Sequence, residues 1–218
     1  MSDTFYKFVR LAGKLTFWMS AAPVVLGREH LPKAGACILA STHESPYDVA
    51  LLIVNAPRLL DFVSIVEVFR NPLVGWFYGS LNAFPLDRSR PDSKTVRKLL
   101  DRLKRGRAVC MFPEGGLRPG PQSVIHTRRI RPGIGRIAAL SGACIIPCVI
   151  INSGAYRRPL NWLPVFRTRY GVIFGEPMPP EADASATEEA LVNQLVHLHA
   201  TLQRALGESA SRAASSAQ

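Results

Sequence analysis

The sequence predicts a single-domain α/β sandwich, with a largely parallel mixed sheet flanked by helices and an amphipathic helix ahead of it. Three observations predict it. Beyond Pro23, short apolar runs alternate with segments of helical periodicity, the pattern of strand–helix–strand units around a parallel sheet. Several of the runs are apolar throughout, so both faces of those strands must be covered by other layers. At 218 residues the chain can bury a sizeable core and is short enough to be one domain.

Residues 4–20 read as a helix with Phe5, Phe8, Ala12, Leu15 and Met19 on one side. Lys7, Arg10 and Lys14 cluster on the other, and Phe17 and Trp18 sit near its end. Aromatic bulk opposite a basic face suits a helix lying in a membrane interface, although a helix packed on its own domain would show the same apolar stripe. Residues 1–24 are therefore assigned to an interface helix and 25–206 to the main domain. Apolar runs at 36–40, 61–66, 82–86, 107–112, 144–151 and 170–174 predict strands. Pro85 places the third of these at a sheet edge or a bulge. Helices are expected near 46–56, 70–80, 92–105 and 133–142. The segment 92–105 is the clearest, with Asp92 or Ser93 as cap, Val96, Leu99, Leu100 and Leu103 inside, and Gly106 as stop. A last helix covers about 185–206, and the Ser- and Ala-rich tail from Gly207 to Gln218 is expected to be disordered. There is no internal repeat.

Composition narrows the partners. Net charge is +11, from 27 basic and 16 acidic residues, and favours an anionic partner: a membrane surface, a phosphorylated substrate or nucleic acid. The charges are scattered through loops with no helix-turn-helix, zinc or RNP pattern, which argues against nucleic acid. Cys37, Cys110, Cys144 and Cys148 all lie in apolar runs, as reduced, buried thiols of a cytoplasmic protein would. Cys144 and Cys148 lack the spacing and partners of a zinc site. No run of 18 apolar residues and no signal-peptide cleavage pattern is present.

The chemistry begins at Ser41-Thr-His-Glu-Ser-Pro-Tyr-Asp48, between the strand 36–40 and the next helix. Ser45 suits the N-cap and Pro46 the first helical position. On one continuous helix, His43 and Asp48 would point about 140° apart. With His43 in the turn and Asp48 in the first helical turn, the carboxylate reaches back to one ring nitrogen and leaves the other free as a base. Asp48 at the third helical position would equally complete a capping box. Three more stretches lie at strand ends. Arg88 comes after the run 82–86 and suits bidentate capture of a phosphate or carboxylate. Phe112-Pro-Glu-Gly-Gly116 closes the run 107–112, with glycines that let a ligand approach the backbone and with Glu114 placed to orient a polar group. Arg128-Arg-Ile-Arg-Pro-Gly133 leads into a helix and suits either phosphate binding or a solvated loop.

In this order the pieces resemble the glycerolipid acyltransferases of the 1-acylglycerol-3-phosphate acyltransferase type. His43 and Asp48 match the first motif, Asp87-Arg88 close the second, Glu114-Gly115 carry the third, and Ile145-Ile-Pro-Cys-Val149 match the fourth. Glu67 to Trp76 is similar to the segment between the first two motifs, and the likeness covers roughly residues 26–178, four ordered motifs being far more specific than one. Two departures stand out: Gly116 and Leu117 take the places of the family's Thr and Arg, with Arg118 one position later, and Thr42 replaces the Asn before the His.

The resemblance implies transfer of a fatty acyl group from acyl-CoA or acyl-carrier protein to a lysolipid hydroxyl at the cytoplasmic face of a membrane. His43 would act as base and Asp48 as its orienting acid; Arg88, Glu114, Gly115, Gly116 and Arg118 would bind the acceptor. The thioester supplies the driving force, so neither metal nor prosthetic group is called for. The absence of a G-x-S-x-G elbow argues against a serine hydrolase on a similar sheet. Two alternatives remain open, a different acceptor (another lysophospholipid or a lyso-aminolipid) and a non-catalytic lipid-binding relative.

Overall fold

Seven strands form one sheet in the order β1-β7-β6-β2-β5-β3-β4 in the computed structural model of the chain, which describes residues 3–86, 93–164 and 167–215. They are β1 (Ala21–Leu26), β2 (Cys37–Ser41), β3 (Leu60–Ile65), β4 (Phe84–Leu86), β5 (Ala108–Met111), β6 (Cys144–Ile151) and β7 (Thr168–Phe174). Every pairing is parallel except β6 with β7, so the sheet is mixed and largely parallel. The helices are α1 (Thr4–Ser20), α2 (Asp48–Asn55), α3 (Pro72–Ser80), α4 (Ser93–Lys104), α5 (Val124–Thr127), α6 (Ile134–Ser141) and α7 (Ala184–Ser215).

The central strand shows why the runs had to be apolar throughout. Cys37 and Leu39 of β2 face the layer of α1 and α2, where they join Tyr6, Leu51 and Leu52. Ile38 and Ala40 face the opposite layer and join Leu99 and Leu103 of α4, Ala138 of α6, and Leu191 and Leu195 of α7. Period-two alternation delivers one strand to two cores, so Cys37 to Ala40 are all apolar, and Ser41, buried at the strand's end, donates its hydroxyl to the Thr42 carbonyl. The same packing buries Cys37, Cys110 and Cys148 and half-buries Cys144, all four as free thiols.

Proline positions obey the ladder. Pro23 and Pro85 sit on the edge strands β1 and β4, where a missing N–H costs little. Pro147 lies in a central strand. Its carbonyl accepts the N–H of Gly175, just past the end of β7, and pairing resumes only at Ile145 with Met178. The absent donor therefore falls in a gap of the β6–β7 ladder.

Three sequence expectations need correction. β1 is a strand not anticipated, because Pro23 reads as a breaker and only an edge position makes it tolerable. The helix expected from residue 46 begins at Asp48, because residues 45–47 form a turn tied by the Tyr47 N–H to the Ser45 hydroxyl. The helix expected to end at 206 runs on to Ser215: Gly207 is tolerated inside it, and alanine, the strongest helix former, is frequent over residues 208–215. The interface helix α1 also packs on the domain by one side. Tyr6, Phe17 and Ser20 are buried against the domain, and Gly13 lies so close to α2 that a Cβ there would be 2.8 Å from Val54. Phe8, Leu15 and Met19, of the stripe read as lying in a membrane interface, are exposed, and Phe5 is partly buried.

Candidate active site

β2 and β5 are neighbouring parallel strands, so the loops after them leave the sheet at the same end. That topology brings Thr42–Tyr47 and Phe112–Arg118 together, at the carboxyl ends where open α/β sheets bind ligands. Nδ1 of His43 lies 3.0 Å from Oδ2 of Asp48, and the same oxygen accepts the backbone N–H of Ser45 at 2.9 Å. The capping contact and the histidine contact thus share one atom. Asp48 is buried, its other oxygen has no partner among the described residues, and a carboxylate can only accept. Nδ1 therefore carries a proton toward Asp48, and Nε2 has no partner among the described residues.

The main chain of His43 is clamped from both sides. Its N–H donates to Oε2 of Glu114 at 2.7 Å, and its carbonyl accepts the N–H of Arg118 at 2.8 Å. Oε1 of Glu114 accepts the N–H of Val124 at 2.7 Å. Both carboxylate oxygens are thereby committed to backbone, inside the protein. Glu114, expected to bind substrate, instead holds the histidine loop in place. Burial pushes its carboxyl up, against the pull of those two N–H bonds. Burial likewise raises the neighbouring Glu44, with Glu114 and Asp48 adding to the effect. Thr42, where the related motif has Asn, accepts the N–H of Ile150 and ties the loop to β6.

The face of the imidazole is occupied as well. Phe112 stacks on His43 with ring centroids 3.9 Å apart and planes 16° from parallel. The sequence offered the Phe as part of a motif without assigning it a role. Both rings line a cavity of about 330 Å³ that runs between β3, α3 and the two loops. Its other walls are almost all apolar, among them Val49, Phe62, Tyr78, Leu81, Met111 and Leu117. A histidine in the wall of an apolar slot fits a hydroxyl carried on a hydrocarbon chain, or a thioester carried on one.

The model of the family described as acyltransferase matches residues 23–151. The chain belongs to the acyltransferase family. A 1-acyl-sn-glycerol-3-phosphate acyltransferase of Bacillus subtilis is 26% identical over 209 residues, 91% of this chain and 99% of the relative. A chloroplastic enzyme of the same name from Brassica napus is 28% identical over 68% of this chain and 44% of its own. A lyso-ornithine lipid O-acyltransferase of Pseudomonas aeruginosa is 37% identical over 76 residues, 34% of this chain and 29% of its own. The crystal structure of the 1-acyl-sn-glycerophosphate acyltransferase PlsC from Thermotoga maritima superposes with a TM-score of 0.62 at 22% identity, covering 93% of this chain and 79% of that one. The fold is the same. The protein is an O-acyltransferase.

The remaining expected site residues of the acyltransferase divide. Asp87 and Arg88 lie outside the described residues. Gly115 lines the cavity in the left-handed region at φ 71°, whereas Gly116, next in the turn, has no positive φ. Arg118 contributes its backbone to the His43 clamp and lines a second cavity of about 410 Å³ with Glu114, Arg129 and Arg131. The helix start beyond these arginines is not a vacant anion site. The N–H groups of Gly133 and Gly135 both donate to Oε1 of Glu188, on α7.

Proposed function

We propose that this acyltransferase moves a fatty acyl group from acyl-CoA or acyl-carrier protein to the hydroxyl of a lysolipid, with 1-acylglycerol-3-phosphate as acceptor and phosphatidic acid as product. The observation that carries the reading is the His43–Asp48 pair, its second ring nitrogen without a partner among the described residues, in the wall of an apolar cavity. Nε2 of His43 takes the hydroxyl proton as the oxygen attacks the thioester carbonyl carbon. The tetrahedral intermediate collapses with cleavage of the C–S bond, and the imidazolium returns the proton to the departing thiolate. Asp48 holds the tautomer and stabilises the imidazolium, Glu114 and Arg118 fix the loop, and Phe112 fixes the plane of the ring. The thioester supplies the driving force.

The reaction is placed at the cytoplasmic face of a membrane, with the protein peripheral to it. Among the described residues no helix is long and apolar enough to cross a bilayer. Phe8, Leu11, Leu15, Trp18 and Met19 of α1 and Leu73, Trp76 and Phe77 of α3 are exposed, and Phe5 packs on Trp76 and Phe77 to join the two helices. Lys7 and Lys14 of α1 and Arg70, just ahead of α3, are exposed and suit anionic head groups. On α3 the next residue, Tyr78, lines the reaction cavity, which gives a hydrocarbon chain a short path from bilayer to base.

A second acceptor, a lyso-aminolipid, is favoured by Leu117, which lines the cavity where the related motif has Arg, and by the lyso-ornithine lipid relative. The test is thiol release from acyl-CoA with lysophosphatidic acid, with mass spectrometry of the product lipid across a panel of lysolipids. His43→Ala is expected to lower turnover by at least ~10²-fold. A variant that kept most of its turnover would remove His43 from the mechanism.

A further inference from the structure

β2, β3, β5 and β6 are parallel to one another, so the segments that follow them lie at one end of the sheet. α3 follows β3 on one side of the His43 loop, and residues 152–164 follow β6 on the other. α1 runs between these two regions. Asp3, at its start, accepts from Nδ2 of Asn82, just past α3, and Phe17, near its end, packs on Trp162 with ring centroids 5.5 Å apart.

Beyond β6 a single helical turn, Pro159–Trp162, is pinned by side chains. Nε1 of Trp162 donates to the Tyr156 carbonyl at 2.9 Å, and Nδ2 of Asn161 donates to the Ala155 carbonyl at 2.7 Å. Oγ1 of Thr168 donates to the Asn161 carbonyl at 3.0 Å. The Trp162 ring packs on Phe17, Tyr156 and Tyr47, the residue next to Asp48. With the indole in that space, Leu160 and Leu163, three residues apart and so on one side of the turn, are left exposed. Arg157 and Arg158, just ahead of the turn, are exposed as well. From Asn152 to Gly175 the sequence carries four arginines and no acid.

We propose that the turn Pro159–Trp162 is a further membrane contact, which inserts Leu160 and Leu163 into a bilayer and sets Arg157 and Arg158 against its anionic head groups. This deepens the peripheral-membrane reading and rests on it. Two features select a bilayer as the partner. Exposed leucines flanked by cations complement an apolar layer under a negative surface. The leucines also continue the exposed face of α1, since Trp18 and Met19 directly follow the Phe17 that packs on this turn. A helix lying flat on a bilayer leaves its domain free to roll about the helix axis. Contacts at α3 and at Pro159–Trp162, both at the carboxyl ends of the strands, fix that roll with the His43 loop between them.

The experiment is flotation of the full chain with vesicles of phosphatidylcholine, with and without phosphatidylglycerol. Leu160→Ser/Leu163→Ser is expected to lower the partition coefficient about tenfold on both. Arg157→Gln/Arg158→Gln is expected to lower it about fivefold or more on the anionic vesicles alone. Both variants should melt with wild type, because all four side chains are exposed. Hydrogen exchange of the wild type is an independent readout: the amides of residues 157–164 should slow when anionic vesicles are added. Unchanged partition of both variants, or exchange over 157–164 that ignores the vesicles, overturns the proposal. A wild type that sediments as a dimer, with a serine variant that is monomeric and floats undiminished, assigns the face to a second copy of the chain and overturns it too. A wild type that does not float defeats the peripheral-membrane reading itself, whereas a floating wild type with unaffected variants defeats this proposal alone.

Discussion

Glu114 grips His43 by the backbone, 2.7 Å from Oε2 to the N–H, and never meets the imidazole. An acid that looks like a substrate ligand is thus a brace between the loops after β2 and β5. Glu114→Ala would leave the N–H groups of His43 and Val124 without acceptors, at about 1–3 kcal/mol each. The expected result is a stability loss of roughly 2–5 kcal/mol in urea melts, together with a fall in kcat that KM does not share. A variant with full stability and a raised KM alone would return Glu114 to substrate binding.

The same residue has a signature in pH. Burial raises the Glu114 carboxyl above its ordinary value of 4.5, so between that value and the raised one the folded chain holds a proton that the unfolded chain has released. This contribution to stability is complete below pH 4.5 and is lost as pH climbs through the raised value. Glu114→Gln removes the titration. The gap in unfolding free energy between wild type and variant is therefore expected to shift against wild type as pH rises through that window. Parallel stability curves from pH 4 upward would contradict it.

Phe112 supplies a flat face for the imidazole, 3.9 Å between centroids. An aromatic pair of this kind contributes about 0.5–1.5 kcal/mol beyond its burial, which converts to roughly two- to tenfold in rate if it is realised in orienting the base. Phe112→Leu keeps an apolar wall and loses the face, so kcat should drop within that range with little change in KM. Phe112→Tyr should retain most of it. Equal kcat for Leu and Phe at this position would mean that Asp48 alone sets the ring.

Which features the sequence discloses depends on how far apart their causes lie. The strand runs were legible because burial on both faces leaves no choice of residue, as Cys37 to Ala40 show. The His43–Asp48 contact was legible because five residues across a turn determine it locally. The role of Glu114 was not, since it depends on β2 and β5 lying side by side, a pairing 71 residues apart. The side by which α1 packs on the domain was hidden for a different reason: the helix is apolar on two sides, and Gly13, which lies on the packed one, carries no hydrophobic signal.

That second apolar side yields a membrane prediction. Trp18 is 78% exposed and Trp76 62%, on two helices joined through Phe5. Trp18→Ala/Trp76→Ala should lower flotation with anionic vesicles severalfold while leaving the folded core and its melting temperature nearly unchanged, because neither ring is part of it. Deleting residues 1–22 should abolish flotation, but that truncation also removes Tyr6 and Phe17 from the core, so the double substitution is the cleaner test. Undiminished binding of the double variant would place the membrane contact elsewhere.

The start of α1 is tied to the sheet by charge. Asp61 on β3 is fully buried and accepts from Arg102 at 2.6 Å and from Arg107 at 2.5 and 3.0 Å, while Arg107 also pairs with Asp3 at 3.1 Å. Breaking a buried pair by removing one partner costs about 3–5 kcal/mol when the survivor is fully enclosed. Here the surviving guanidiniums keep close to a third of their surface in water, 31% and 28%, so much of that penalty is relieved by solvation. Asp61→Asn should therefore destabilise by roughly 2–3 kcal/mol, below the buried-pair range. Asp3→Asn, at a half-exposed site, should cost under ~1 kcal/mol but loosen α1 enough to raise proteolysis within residues 4–20. A protease pattern identical to wild type would show that Phe17 and Tyr6, not the ion pair, anchor the helix.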